Sequence, residues 1–253
     1  MKVMMICNTD GALYVFRKPL IRRLIGQGHE VVSVTSRTWY VEKLKELGVR
    51  THVVDFEGRS VSPMANLGLL NRLRILLRQE RPEIVHAFTH KPAVYGSFAA
   101  WLAGAGKIFV TITGLGTAFS YNDRKTRIIR LLLLLQYRVA LRFSKRVYFQ
   151  NPDDLDYFTG RGIARKEKAV LVNGSGIDLA EYAVPTIGET SRLREALGRE
   201  IGTDLKEKIV VIFPARALRE KGFYDVYESA RMINRQSAGY VFLHLGYVDE
   251  RST

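Results

Sequence analysis

The 253 residues are 47% hydrophobic and 25% charged, a balance that builds a core and excludes a disordered chain. No apolar run approaches the roughly 18 residues that a membrane-spanning helix needs, and the single cysteine, Cys7, excludes an intramolecular disulfide. The net charge of +14 is lopsided: residues 1–203 hold 31 Lys and Arg against 18 Asp and Glu, which draws polyanions, anionic lipid headgroups or phosphorylated substrates to that part.

The first strand is expected over 2–7, where the five-residue apolar run Val3–Cys7 is too short for a secretion-signal core. A reducing, cytoplasmic setting is the expectation, with Cys7 as packing. The loop "NTDGALYVF" (8–16) follows. Its Asp10-Gly11 pair either brings backbone close to a ligand at a helix start or makes an ordinary turn. A helix near 14–27 ends at "GQGHEV", and strands at 30–35 and 50–55 flank a helix over 39–47. The helix expected over 64–80 is basic and apolar, in "LNRLRILLRQER" (70–81), and precedes a strand over 83–88.

After that strand, "HAFTHKPAVYG" (86–96) sets Pro92 in a first helical turn, with His90 and Lys91 just before it. A lysine at a helix N-terminus opposes the dipole, and a bound phosphate would reconcile the two; a surface role is the alternative. His86 reads as a core residue. A helix over 93–104 leads to a strand over 107–113 and to "TITGLGTAF" (111–119), where Gly114 and Gly116 permit close backbone approach beside Thr113.

The helix over 124–143 carries Arg124, Arg127, Ile128, Leu131, Leu135, Arg138 and Arg142 at three- and four-residue spacing, with Lys145 beyond it. Leucines at the centre and cations at both ends suit an anionic bilayer surface; a core-facing helix with solvated ends is the alternative. Strands at 146–151 and 168–173 flank a helix over 153–160, and "NGSGID" (173–178) marks the turn leaving the domain. Alternating strands and helices require a parallel sheet with helices on its faces.

The chain divides into a complete Rossmann-like domain over 1–175, a linker with one short helix over 176–205, and the opening β-α-β of a second such domain over 206–253. That opening comprises a strand over 208–215, a helix near 221–236 and a strand over 240–246. In "FPARALREKGFYDV" (213–226), Arg216 and Lys221 share one strand-to-helix turn, where two cations converge on an anion or are simply solvated. No G-x-G-x-x-G follows the first strand, which disfavours a dinucleotide oxidoreductase, and no nucleic-acid recognition module appears.

The stretches "PEIVHAFTHKPAVYGSFAAWLAG", "TGLG", "VNGSGIDL", "PARALREKGFYDVYESARMI" and "FLHLGYVDE" together resemble the bacterial family-four retaining glycosyltransferases of GT-B fold. Within that family the chain is most similar to enzymes that extend sugars on undecaprenyl pyrophosphate in O-antigen, capsule and related glycan assembly. The resemblance implies transfer of a hexose or N-acetylhexosamine from a nucleotide-diphosphate sugar, with Arg216 and Lys221 on the donor diphosphate. It implies no cofactor or metal beyond that donor. The acceptor would lie in the N-terminal domain near Asp10, Gly11, His90, Lys91, Thr113, Gly114 and Gly116, and Lys91 matches a recurrent family lysine. The protein would then sit peripherally on the inner face of the plasma membrane.

Thr113 stands where many relatives carry a histidine that contacts the transferred sugar, so no catalytic side chain is assigned. The family also continues past "LGYVDE" into an E-x7-E motif and base-binding loops, so an incomplete donor site is expected here. Such a sequence would be a truncated product, an interrupted frame or half of a split enzyme. A non-catalytic, membrane-associated acceptor-domain protein is the competing expectation.

Overall fold

The computed structural model describes residues 1–56, 63–115, 119, 123–179 and 181–246. The chain forms two compact units, Met1–Asp178 and Leu179–Thr253.

The first unit is a seven-stranded parallel sheet. Its strands are β1 (Lys2–Ile6), β2 (Glu30–Thr35), β3 (Arg50–Val53), β4 (Ile84–Phe88), β5 (Lys107–Ile112), β6 (Arg146–Phe149) and β7 (Ala169–Leu171), in the spatial order β3-β2-β1-β4-β5-β6-β7. Residues such as Met4, Val32, Val85, Val110 and Val147 are fully buried in these strands. The order reverses between β1 and β4, and their parallel registers pair Met5 with both Ser33 and His86. Such a reversal opens a crevice at the carboxyl ends of the strands.

Helix α1 (Asp10–Gly26) starts at Asp10, four residues earlier than the expected 14, because the Thr9 hydroxyl caps it by accepting from the Ala12 N–H. Together with α2 (Val41–Glu46) it covers β1–β3 through Leu13, Ile21 and Leu44. The opposite face is covered by α3 (Pro63–Glu80), α4 (Ser97–Leu102), α5 (Arg124–Ala140) and α6 (Pro152–Gly160). There Leu69, Leu73 and Leu77 of α3 meet Met4, Ile6 and Val85, and Tyr137 and Phe158 meet Phe149.

The single helix expected over 93–104 is a π-helical turn, Pro92–Gly96, followed by α4. A Cβ at Gly96 would lie 3.2 Å from Ile6 Cδ1, so the close approach of this segment to the sheet depends on that glycine. Among the described residues, α1 and α2 are the helices on their face. The same face of β4, β5 and β6, with His86, Phe109 and Tyr148, lines a concavity of about 440 Å³.

In the second unit, β8 (Ile209–Phe213) and β9 (Tyr240–His244) pair in parallel around α8 (Phe223–Gln236). This is a β-α-β unit with its strands and helix in the expected order. Before it, α7 (Ile187–Ile201) is 15 residues long and falls within the stretch assigned to a linker. A capping box starts it: Thr186 Oγ1 accepts from the Glu189 N–H while the Glu189 carboxylate accepts from the Thr186 N–H. It ends at Gly202 in the left-handed region, φ 68°.

Candidate functional site

A concavity of about 970 Å³ lies at the amino ends of the strands, beside Lys2, Glu30 and Glu80. Glu80 is spoken for there by Lys2, Arg50 and His52. Chemistry is sought at the other pole, where strand order reverses and loops converge.

At that pole a cavity of about 290 Å³ is lined by Cys7, Arg17, Phe88, Thr89, Thr113, Gln150 and Ser175. Arg17 is buried on the inner face of α1, where its guanidinium lies 4.7 Å from the Phe88 ring centroid and donates to Ser175 Oγ at 2.7 Å. The amide of Gln150 donates to the same hydroxyl at 3.2 Å. Arg17 has no carboxylate partner among the described residues, so a buried cation meets only a hydroxyl and an aromatic face. Burial lowers its pKa accordingly. Thr89, at the end of β4, has φ 68°, a conformation rare for a residue with a Cβ and frequent beside sites. Its hydroxyl donates to Asn8 Oδ1 at 3.1 Å.

Every candidate but Gly116 has a definite place. Asp10 is fully buried, and its carboxylate accepts from the N–H groups of Gly11, Thr38 and Tyr40 and from the Thr38 hydroxyl. Burial alone would raise its pKa, but these donors outweigh it and hold it below the ordinary carboxylate range. Asp10 therefore clasps the loop after β2 onto the start of α1. A Cβ at Gly11 would meet the Tyr40 ring at 3.3 Å, so Gly11 lies under that loop.

His90 and Lys91 lie within helical backbone rather than before it. The Lys91 ammonium donates to the Phe56 carbonyl at 3.0 Å, tying the chain after β3 to this helix start. His90 packs edge-on to Tyr137 at 5.1 Å, and its buried Nε2 has no hydrogen-bond partner among the described residues. Burial, aided by Lys91, pushes its pKa down to about 4. His86, expected in the core, is half-buried on the sheet face that lines the 440 Å³ concavity, its Nε2 2.8 Å from Thr111 Oγ1, and desolvation followed by the charge of Arg17 pushes it down to about 3. Thr113 and Gly114 are exposed after β5, with Gly114 at φ 135°, and Gly116 lies outside the described residues.

In the second unit, the chain between β8 and α8 forms a turn containing the short 3-10 segment Arg219–Lys221. Leu218 is its buried anchor, and Gly222, at φ 77°, caps α8 with no side-chain bond to the first-turn N–H groups. Arg216 is half-buried and Lys221 exposed. Neither side chain has a hydrogen-bond or ion-pair partner among the described residues; their backbones bond to Leu218 within the turn. The turn is braced from β9, where His244 Nε2 lies 2.7 Å from the Ala215 carbonyl and the Leu245 N–H donates to Phe213.

Arg17 and Thr89 were missed from sequence. Arg17 had a signal, since it sits four residues from both Leu13 and Ile21 on the stripe that faces the core. Thr89 had none.

This architecture is that of the GT-B proteins, a class that includes both glycosyltransferases and sugar-nucleotide epimerases. Anabaena HepE, crystallised with UDP-glucose, superposes with a TM-score of 0.64 at 14% identity, over 98% of this chain and 70% of that one. The UDP-GlcNAc 2-epimerase of Neisseria meningitidis, bound to UDP-GlcNAc, gives 0.63 at 12% identity, over 100% of this chain and 67% of that one. At such identities the likeness establishes the fold alone. The family comes from the sequence: residues 15–174 match the glycosyl transferase 4-like domain, and the chain belongs to that family. It is also 25% identical over 243 residues to the N,N'-diacetylbacillosaminyl-diphospho-undecaprenol alpha-1,3-N-acetylgalactosaminyltransferase of Campylobacter jejuni. That match covers 96% of this chain and 63% of the relative's length.

Proposed function

We propose that this chain serves a glycosyltransferase that moves a sugar from a nucleoside-diphosphate donor to a saccharide linked to polyprenyl pyrophosphate. The observation that carries the reading is the β8–α8 turn, where two cationic side chains without partners among the described residues share the segment that leads into a helix start without a side-chain cap. The family match supports the transferase class, the Campylobacter relative's name supports a lipid-diphosphate acceptor, and the neighbours crystallised with UDP-sugars support a uridine donor.

In this reading Arg216 and Lys221 take up charge as the bond from sugar C1 to the β-phosphate oxygen breaks. They thereby stabilise the departing diphosphate more than the intact donor. The acceptor hydroxyl forms the new bond from the same face, and its proton passes to an oxygen of the leaving phosphate. No side-chain base is then required. That agrees with Thr113, which lines the cavity and carries no basic group, and with histidines whose depressed pKa values make them weak bases. The acceptor saccharide would approach the carboxyl-end cavity beside Arg17 and Thr89. A polyprenyl-linked acceptor confines the work to a membrane surface, and the nucleotide-sugar donor places it on the cytoplasmic side, in assembly of surface polysaccharide such as O-antigen or capsule.

The test is transfer of label from UDP-N-acetylhexosamines to polyprenyl-pyrophosphate-linked saccharides, beside UDP binding by titration calorimetry. Arg216→Ala with Lys221→Ala should weaken UDP binding at least tenfold and cut transfer by about a hundredfold or more. Binding and transfer that survive the double substitution would remove the diphosphate role. UDP binding without transfer to any lipid-linked saccharide would favour a binding function.

A further inference from the structure

α5 faces outward with the wrong residues for water. Leu134, Tyr137 and Ala140 turn to the core, while Ile128, Leu131, Leu132 and Leu135 each leave more than half of their surface exposed. The apolar strip continues across neighbouring elements. Phe143, in the 3-10 turn after α5, stacks on Trp101 of α4 at 4.3 Å, and Trp101 is itself 48% exposed. The α3 residue Arg78 reaches the Leu102 carbonyl at 3.5 Å, and Ile75 lies exposed one turn before it.

The charge around the strip is predominantly basic, with the exposed carboxylate of Asp123 at the N-cap of α5 accepting from the Thr126 N–H. Residues 63–80, 97–102 and 124–143 contain nine Lys and Arg and one acid, Glu80, which is buried and engaged by Lys2, Arg50 and His52. Arg78, Arg127, Arg138 and Arg142 are exposed at the margins.

From this arrangement we infer that the joined outer faces of α3, α4 and α5 form a membrane-docking surface. It inserts Ile128, Leu131, Leu132, Leu135 and Trp101 into the headgroup-acyl boundary of an anionic bilayer, while the flanking arginines engage lipid phosphates. Charge complementarity selects this occupant. A second copy of the chain would set one basic margin against another, and a nucleic acid would satisfy the arginines while leaving the leucines wet. Docking needs no sugar transfer, so either can fail without the other.

The experiment is co-sedimentation of the purified chain with vesicles of phosphatidylcholine alone or with phosphatidylglycerol added. Bromine-lipid quenching of tryptophan follows in a Trp39→Phe background, which leaves Trp101 as the reporter. Binding is expected to anionic vesicles, to fall at least tenfold in Leu131→Asp/Leu135→Asp, and to quench Trp101. Both leucines are exposed, so the variant should keep the circular dichroism of the parent. Four results would overturn docking: undiminished binding by the double variant, equal binding to neutral vesicles, unquenched Trp101, or a dimer in sedimentation equilibrium that the same substitutions disperse. Retention on DNA-cellulose that the leucine variant keeps, with no vesicle binding by the parent, would overturn it in favour of a nucleic acid.

Discussion

Asp10 shows what a single carboxylate does when it is buried with a full set of donors. Two of its oxygens serve four donors, two of them on Thr38 and one on Tyr40, 28 and 30 residues away. Hydrogen bonds to a charged group are each worth about 1.5–3 kcal/mol, and their donors would be stranded in a buried site. Asp10→Ala should therefore destabilise the first unit by about 3 kcal/mol or more in urea unfolding, whereas a loss below about 1 kcal/mol would show that the clasp is not structural. Asp10-Gly11 was conspicuous in the sequence as a polar pair after a strand, but its partners belong to a loop whose position only the fold decides. The place of Arg216 and Lys221 in one strand-to-helix turn was legible for the converse reason, since it follows from the local pattern without reference to any distant residue.

Elements were more legible than residues. All nine strands lie within their expected ranges, because short runs rich in Val and Ile bounded by glycine or polar residues leave little alternative in a parallel sheet. Helix starts were less legible where a cap lies outside the apolar pattern, as with Thr9. The π-turn over Pro92–Gly96 was illegible, since neither its sequence nor Pro92 distinguishes it from an ordinary helical turn, and the close approach of Gly96 to Ile6 is set by tertiary packing. The turn before α8 carries a prediction at this scale. Gly222 joins Lys221 to the first turn of α8 at φ 77°, where a Cβ costs about 1–2 kcal/mol. Gly222→Ala should cost the second unit that much stability and weaken UDP binding several-fold by shifting Lys221 against the helix start. Unchanged binding would separate the glycine from the site.

The molecule's response to acid collects these local terms into one curve. His86 and His90 are held neutral when folded, at about 3 and about 4, while an unfolded histidine titrates near 6.5. Between those values the unfolded chain binds protons that the folded chain refuses, so stability is full above about pH 6.5 and declines as pH falls. Each histidine contributes a slope of about 1.4 kcal/mol per pH unit, or about 2 kcal/mol by pH 5. Two such terms are a large share of a domain's usual margin of about 5–15 kcal/mol. Asp10 and Glu80 act later: their folded pKa values are depressed, so their contribution is present above about pH 4 and is lost below it, as they protonate. The first unit should thus weaken in two stages, histidines first and carboxylates second. Trp39 and Trp101 both lie in Met1–Asp178, so tryptophan fluorescence in urea follows that unit separately. Between pH 7.5 and pH 5 its unfolding free energy should fall by about 4 kcal/mol in the parent, by about half as much in His90→Gln, and hardly at all in His86→Gln/His90→Gln. A parent slope that persists in the double variant would place the acid sensitivity elsewhere than in these two rings.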